Sequence, residues 1–358
     1  MEKGACPSGT KERQSNIELL RIVVIIGVII LHYNGEYAFD VVEQTGINWW
    51  ILCSLESVFI CAVNVFVLIT GYFLSCTEKR NLWKAIELVV QVILFSSLRY
   101  LLDAALFGGA FRFRGLILAM IPNDYFVTLY IVLYLISPYI NMVFDRLTQA
   151  QMRKMVFLLF LLFSAYPNFV DIFQIVTRRS WNEMSSISMF GSLGGYSIVN
   201  FVLMYSIGAY LRRGKCALCQ WKTCRLLLLW LVCVIGLIVW NYSAVSSCAW
   251  HYCNPLVIIS AVCAFLLFKR IQIGSCRIIN TLAQGVFSVY LFHFFFLPHI
   301  GIEEFAVGNP FILLAHIFLS AIGIYGLCWC VYWVYAKITK PLFRRLSAQL
   351  DLNIDYLK

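Results

Sequence analysis

The sequence predicts an all-α integral membrane protein, a single bundle of about ten transmembrane helices with both termini in the cytoplasm. Hydrophobic residues make up 61% of the 358 positions and charged residues 13%, whereas soluble proteins average about 25% charged residues. The apolar runs are separate, and each is long enough to cross a hydrocarbon core of roughly 30 Å as a helix. The sequence lacks the residue alternation that is typical of membrane β-barrels.

The apolar runs define the order of the spans. The first run is long and lacks a small-residue cleavage site, so we interpret it as the first span and not as a cleaved signal peptide. No connecting segment is long enough for a soluble domain, so any functional site must be built from the helices themselves. We divide the chain into a cytoplasmic tail (1–16), a transmembrane domain (17–340) and an amphipathic cytoplasmic tail (341–358). The ten predicted spans are about 17–35, 49–74, 85–107, 125–144, 154–174, 195–211, 224–242, 252–269, 282–300 and 311–335.

Basic residues set the orientation, because short cytoplasmic connections hold an excess of Lys and Arg. With the N-terminus inside, 23 of the 28 basic residues fall on the cytoplasmic side. The exceptions are Arg99, Arg112, Arg114, Arg178 and Arg179. The net charge of +10 is therefore explained by topology and by attraction to anionic lipid headgroups, and we expect no nucleic-acid partner.

Ionisable residues inside the predicted spans fall in one layer. His32 lies eleven residues after Arg21, roughly 16 Å further along the first helix, and Glu36 follows His32 at the i+4 position of the same helix face. Comparable depths are expected for Glu56, for Arg99 with Asp103 one helical turn later, and for His293. Because charged groups in a membrane are tolerated where water reaches them, this layer predicts a hydrated cavity that opens to the outside.

An imidazole beside a carboxylate is suited to take a proton from a hydroxyl group, since the carboxylate orients the ring and stabilises its charged form. We therefore predict that His32 is a general base and that Glu36 is its partner, with Glu56 and Asp103 as alternative partners. Other interpretations stay open. The alternative role of His32 is structural, as a residue that only forms a hydrogen bond between helices. The alternative role of Arg99 and Asp103 is an ion pair that joins helices.

The remaining histidines, His251, His299 and His316, are interpreted as structural or interfacial. Cys216, Cys219 and Cys224 lie in one inner loop, but three thiols without a fourth ligand are a weak indication of zinc. We predict no metal site.

Five segments in order resemble acyltransferase family 3, the bacterial membrane enzymes that O-acylate extracellular and cell-envelope carbohydrates. The resemblance covers almost the whole chain. Its most specific element is a basic residue followed after ten positions by a histidine, Arg21 and His32. The five segments are "ELLRIVVIIGVIILH", "NVFVLITGYFLS" with Thr70 where Ser is usual, "YFVTLYIVLYLISPYIN", "GGYSIVNFVLMYSIGAYLRR" and "FSVYLFH".

The resemblance implies that His32 is the catalytic histidine, that Arg21 is the basic residue of the motif and that His293 is a second functional histidine. It also implies acetyl-CoA as a cytoplasmic donor and a carbohydrate acceptor on the outside. Arg21, at the cytoplasmic end of the first span, would then bind the phosphate groups of the donor. The alternative is that Arg21 serves only as a membrane anchor. Acyl transfer passes through a tetrahedral state whose oxyanion needs hydrogen-bond donors. The candidate donors are the backbone near Gly71, the Tyr72 hydroxyl and Arg99. Candidate substrate-binding residues are Arg99, Asp103, Glu56, Tyr72, Arg112 and Arg114.

The sequence thus predicts a multi-pass O-acetyltransferase of the bacterial cytoplasmic membrane. Expected partners are a carbohydrate acceptor and membrane lipids, with envelope glycan synthesis machinery or a second copy of the chain as further possibilities. The alternative is a transporter or flippase for a lipid-linked saccharide or another envelope precursor, which needs no thioester. A third alternative is a non-catalytic scaffold, in which no polar residue of the spans is individually essential.

Overall fold

A computed structural model describes residues 13–77, 79–181, 184, 193–213, 216–243, 248–349 and 353–354. Of these residues, 82% are helical and almost none lie in strands, which confirms the predicted all-α membrane fold. The predicted N-terminal tail lies outside the described residues except for its last four positions. Helices α1 to α9 are Ser15–Tyr33, Phe39–Val41, Ile47–Phe59, Ala62–Leu74, Leu82–Leu106, Phe113–Ala119, Tyr125–Arg146, Gln149–Phe160 and Tyr166–Thr177. Helices α10 to α17 are Ile198–Arg213, Ala217–Gln220, Thr223–Asn241, Pro255–Arg270, Arg277–Leu282, Val286–Phe292, Ile302–Ala306 and Pro310–Gln349.

Within the described residues, eight helical segments are long and apolar enough to cross a membrane, compared with ten predicted spans. The difference lies in the predicted spans 195–211 and 252–269. They correspond to α10 and α13, which are helices of 16 residues each, or roughly 24 Å in length. Both carry many buried residues, so they pack inside the bundle more than they face lipid.

Helix α1 lies at the centre of the bundle. It contacts α3, α4, α13, α14, α15 and α17, and most of its side chains are buried. Helix α5, in contrast, has only Trp83, Val92 and Phe95 buried. Exposed apolar side chains such as Leu94 and Leu101 place it at the periphery of the bundle. The residue spacing along α1 therefore fixes how deep each of its polar groups lies in the protein.

Helices α4 and α10 cross at a contact made by two glycines. A Cβ atom added at Gly71 would lie 2.2 Å from the carbonyl oxygen of Tyr205, and one added at Gly208 would lie 2.3 Å from the carbonyl oxygen of Leu68. Small residues at such positions let two backbones approach closely, which is the usual basis of helix association in membranes. The backbone at Gly71 is therefore packed against α10, which corrects the expectation that it helps to form an oxyanion site.

Several segments depart from regular α-helix. Residues Asn34–Ala38 continue α1 as a π-helix, and a second π-helix at Leu161–Ala165 joins α8 to α9. The ninth predicted span is divided into the end of α14, a 3₁₀ turn, α15 and two further 3₁₀ turns at His293–Phe295 and Leu297–His299. Of the functional candidates, Glu36 lies in the first π-helix and His293 lies in the 3₁₀ turn after α15.

The last helix, α17, runs from Pro310 to Gln349 with Pro341 inside it, past the boundary at residue 340 that the sequence suggested. After it, Asn353–Ile354 pairs in antiparallel fashion with Arg80–Asn81. This pairing joins two segments that the charge distribution places on the same, inner side of the bundle.

The glycine contact gives a stability prediction. In Gly71→Ala, the added methyl group meets backbone atoms that cannot rotate away, so we expect a loss of about 1–3 kcal/mol of stability and a lower thermal midpoint in detergent. The matched control is Gly323→Ala in α17, where no atom lies within 4 Å of the added Cβ. Equal thermal midpoints for the two variants would contradict the close crossing of α4 and α10.

Candidate active site

The centre of the site is a pair of histidines from α1 and from the turn that follows α15. Nδ1 of His32 lies 2.8 Å from Nε2 of His293, and Nδ1 of His293 lies 3.0 Å from the carbonyl oxygen of Val289. His293 is fully buried, and His32 is partly exposed. The ring of Phe294 packs against both imidazoles, with centroid distances of 4.4 and 4.5 Å. Two residues that are 261 positions apart thus form one continuous hydrogen-bonded unit.

The hydrogen-bond partners determine where the protons of this pair lie. The carbonyl oxygen of Val289 can only accept, so Nδ1 of His293 donates to it. In a neutral imidazole the other nitrogen is then an acceptor, so Nε2 of His293 accepts from Nδ1 of His32. This leaves Nε2 of His32 unprotonated. The network therefore prepares His32 to accept a proton at Nε2.

The sequence analysis predicted Glu36 as the partner of His32. In the structure, the hydrogen-bond partner of His32 Nδ1 is His293. The prediction assumed that α1 continues as a regular α-helix, in which residues i and i+4 share a face. The π-helix at Asn34–Ala38 has a wider turn, so the i+4 rule fails between these two residues. Glu36 is exposed and lines the same cavity as His32.

A cavity of about 540 Å³, called the outer cavity below, surrounds His32. His32, Glu36, Glu56 and Arg99 line it together, as the layer of ionisable residues suggested. Asn34 fixes the position of the Glu56 side chain. The buried Asn34 amide donates to Glu56 Oε2 at 3.1 Å and to the carbonyl oxygen of Leu52 at 3.3 Å. Further lining residues are Val28, Leu31, Gly35, Ile60, Val63, Val92, Ser96, Asn123, Asp124, Tyr125, Tyr196, Tyr252, Tyr290, Leu291 and Phe294.

A second cavity of about 610 Å³, called the inner cavity, lies on the opposite side of the site. Its cationic lining residues are Arg13, Arg21 and Lys84, and Glu87 is its acidic one. Arg21 Nη1 donates to Glu18 Oε2 at 3.1 Å, and the Arg21 side chain keeps 36% of its surface exposed. The basic residue of the sequence motif therefore stands at an accessible position in this cavity.

The two cavities share part of their walls. Val28, Val63 and Tyr290 line both of them. Val28 lies one helical turn before His32 on α1, and Tyr290 lies one turn before His293. The histidine pair therefore stands beside the boundary between a cavity with basic residues at its inner end and a cavity rich in polar and aromatic residues.

The other predicted site residues lie elsewhere. Tyr72 is buried near the inner end of the bundle, where its hydroxyl accepts from Arg212 at 3.3 Å and its ring faces Lys269, so it is not placed to serve His32. Asp103 lines neither cavity, and no ion pair joins it to Arg99 among the described residues. Arg112, which precedes α6, and Arg114 in its first turn are exposed and do not line the outer cavity.

Several residues that line the outer cavity were missed by the sequence analysis. Tyr290 donates to Asp124 Oδ1 at 3.1 Å, and the same oxygen caps α7 by accepting from Val127 N at 2.9 Å. The ring of Tyr196 packs between those of Tyr125 and Tyr252 at tilts of 59° and 43°, with ring centroids 4.6 Å away in each case. Asp124 carried a signal as the helix-capping residue before "YFV", but the four tyrosines come from four segments of the chain and carried none.

The two cavities lead to a labelling prediction. In Ser96→Cys, which places a thiol on the outer cavity, a membrane-impermeant thiol reagent added outside intact cells should modify residue 96. In Thr70→Cys, which places a thiol on the inner cavity, the same reagent should react only in inverted vesicles. Mass spectrometry of the residue-specific peptide measures the modification above the native cysteine background.

The matched control is Leu227→Cys, an exposed position on α12 that lines neither cavity, where lipid should block the reagent from both sides. Modification of residues 70 and 96 from the same side would contradict two cavities of opposite access.

Comparison with known proteins agrees with this architecture. The family model of the acyltransferase domain of acyltransferase family 3 matches residues 14–333, nearly the whole chain. No curated protein and no solved structure matches the chain significantly. The match includes α1 with Arg21 and His32 and the turn with His293. The chain therefore belongs to acyltransferase family 3 and is a multi-pass membrane acyltransferase.

Proposed function

We propose that this acyltransferase moves an acetyl group from cytoplasmic acetyl-CoA to a hydroxyl group of an exported or extracytoplasmic carbohydrate, in the bacterial cytoplasmic membrane. The observation that carries the proposal is the position of the histidine pair, with His32 in the outer cavity one helical turn after Val28, a residue that lines both cavities. Donor and acceptor would approach from opposite sides and meet at the histidine pair. The acetyl group then crosses the membrane without a complete passage of either substrate.

The proposed reaction uses His32 as the base. Nε2 of His32 takes the proton of the acceptor hydroxyl while the hydroxyl oxygen attacks the thioester carbonyl carbon. The tetrahedral intermediate then collapses, the C–S bond breaks, and the CoA thiolate leaves and receives the proton from His32. Nε2 of His293 accepts the hydrogen bond of His32 Nδ1 throughout, so His293 orients the ring and favours its positive charge. This division makes His32 the catalytic residue and His293 a positioning residue.

The inner cavity fits the donor. Acetyl-CoA carries phosphate groups on its nucleotide and a long neutral arm that ends in the thioester. Arg13, Arg21 and Lys84 supply cations for the phosphates, and Arg is suited to them because it donates two parallel hydrogen bonds. Between Arg21 and His32, apolar side chains such as Ile25, Val28 and Val63 line the path of the neutral arm.

The outer cavity fits a carbohydrate. The rings of Tyr125, Tyr196 and Tyr252 offer aromatic faces for the apolar faces of a sugar ring. Asp124, Glu36 and Glu56 offer acceptors for its hydroxyl groups. Arg99, which lines the same cavity, is the best-placed cation to stabilise the oxyanion of the tetrahedral intermediate. It replaces Gly71 and Tyr72, whose positions exclude them from this role.

Ester analysis in the native host tests the proposal. We expect carbohydrate-linked acetyl ester to disappear in a deletion strain, to return with the wild-type gene, and to fall by about a hundredfold to ten-thousandfold with His32→Ala, because the base is lost. The control is His299→Ala, an exposed histidine that stacks on Phe107 and lines neither cavity. It should restore the ester fully at matched protein levels in the membrane. Unchanged ester in the deletion strain would instead favour transport of an envelope precursor.

The histidine pair also gives a prediction for combined variants. We expect His293→Ala to lower the rate of acetyl transfer about tenfold to hundredfold, and His32→Ala to lower it further. The double variant should be no slower than His32→Ala alone, because residues that act as a unit give non-additive effects. Rates are measured on purified protein with acetyl-CoA and the acceptor glycan. Additive losses would show that His293 acts independently of His32.

Arg21 gives a prediction for donor binding. Arg21→Gln should raise the KM for acetyl-CoA by about five- to tenfold with a smaller change in kcat, since a charge-assisted contact with phosphate is lost. The control is Arg225→Gln, which removes the same charge from an exposed inner position that lines neither cavity. An equal rise in KM for both variants would indicate general surface attraction, and the specific role of Arg21 would fail.

A further inference from the structure

Three residues with metal-binding side chains meet at the outer end of the bundle, away from the histidine pair. They are Asp171 in the middle of α9, and Cys248 and His251 in the segment between α12 and α13. One ligand atom from each, a carboxylate oxygen, the thiol sulfur and a ring nitrogen, lie within 4.8 Å of one another. Asp171 and Cys248 are completely buried, and none of the three lines the inner or outer cavity.

The backbone around Cys248 and His251 holds these two side chains in place. The side chain of Asn254 donates to the carbonyl oxygens of Cys248 and Ala249 at 3.1 Å each, and the Asn254 backbone N–H donates to the carbonyl oxygen of His251 at 2.9 Å. Asn254 also caps α13 by accepting from Leu256 N at 2.9 Å. The segment is therefore a closed turn fixed to the start of a buried helix, and its two ligand side chains need little further ordering.

Several buried polar atoms around the cluster have no hydrogen-bond partner, which points to a bound ligand at this place. Nδ1 of His251 is buried without a hydrogen-bond partner, which is costly for a polar atom. The buried amide nitrogens of Asn168 and Gln174, three residues before and after Asp171 on α9, also lack partners. These amides cannot bind a cation, but they are donors that can orient a ligating carboxylate or a metal-bound water.

The combination of ligands selects among metals. A thiolate and an imidazole favour zinc over magnesium or calcium, which prefer oxygen ligands. Three protein ligands with a water molecule in the fourth position form a known zinc arrangement. Bond lengths of about 2.0–2.3 Å place tetrahedral ligand atoms roughly 3.3–3.8 Å apart. Small side-chain rotations would bring atoms that now lie within 4.8 Å of one another to these separations.

We propose that Asp171, Cys248 and His251 bind a zinc ion that joins α9 to the segment between α12 and α13. Binding converts the Cys248 thiol to a thiolate, with release of its proton to solvent, and uses a neutral nitrogen of His251. The ion does not take part in acyl transfer. It fixes the segment that continues into Tyr252 at the wall of the outer cavity.

The contacts of Tyr252 show how such an ion acts on that wall. Its backbone N–H donates to the carbonyl oxygen of Gly194 at 2.7 Å, and its carbonyl oxygen accepts from the buried Asn64 at 2.7 Å. A Cβ atom at Gly194 would lie 3.1 Å from the His251 ring, so the segment with Tyr196 also packs closely on this histidine. Removal of the ion would release the His251 side chain and make the positions of Tyr196 and Tyr252 less fixed.

Metal analysis of the purified full-length protein tests the proposal. We expect ~1 zinc per chain in the wild type, and at least a fivefold loss in Cys248→Ser and in His251→Gln. The matched control is Cys253→Ser, which changes a buried cysteine of the same segment outside the cluster and should keep its zinc. Cobalt in place of zinc should give a thiolate charge-transfer band that Cys248→Ser abolishes.

A second measurement uses the wild type alone and does not depend on the folding of a variant. Removal of the metal with a chelator should lower the thermal midpoint by about 2–4 °C, and zinc, but not magnesium, should restore it. The proposal is overturned if wild-type protein equilibrated with zinc holds no more metal than Cys248→Ser. It is also overturned if the chelator leaves the midpoint unchanged, or if Cys248 and Cys253 prove to be joined as a disulfide. None of these results bears on acetyl transfer by His32.

Discussion

The hydrogen bond between His32 and His293 is the interaction on which the proposed mechanism of this bundle depends. It joins the central helix α1 to the broken ninth span, and it fixes which nitrogen of His32 is free to take a proton. A buried, fully paired His293 is tolerated in the membrane because both of its ring nitrogens are satisfied. The proposed base is thereby oriented without a buried charge, which would be far more costly to maintain.

Two irregular backbone segments lie beside the histidines. The π-helix after Tyr33 and the 3₁₀ turn at His293–Phe295 contribute to the wall of the outer cavity, where water can satisfy displaced backbone groups. The π-helix packs against α3 and α16, and the 3₁₀ turn packs against α17. The geometry of the candidate site is therefore built from local departures from regular helix inside a packed bundle.

Much of this could be predicted from the sequence. The apolar runs and the distribution of Lys and Arg were sufficient for the fold class, because these features are local along the chain. The spacing between Arg21 and His32 singled out His32, which lines the outer cavity, and its catalytic role stays a prediction. The pairing of His32 with His293 could not be predicted, since it depends on how two distant helices are placed. Glu36 was misplaced because a π-helix leaves no clear signal in an apolar sequence. The cluster of Asp171 with Cys248 and His251 was missed for the same reason as the histidine pair.

The central claim is that Nε2 of His32 is unprotonated and ready to accept a proton, and nitrogen NMR of histidine-labelled protein in detergent tests it most directly. The assignment of the His32 resonances comes from comparison with His32→Ala. The account predicts a protonated Nδ1 and a pyridine-type Nε2 in the resting enzyme at neutral pH. A proton on Nε2 of His32, with Nδ1 as the acceptor, would contradict the arrangement of donors and acceptors on which the mechanism is built.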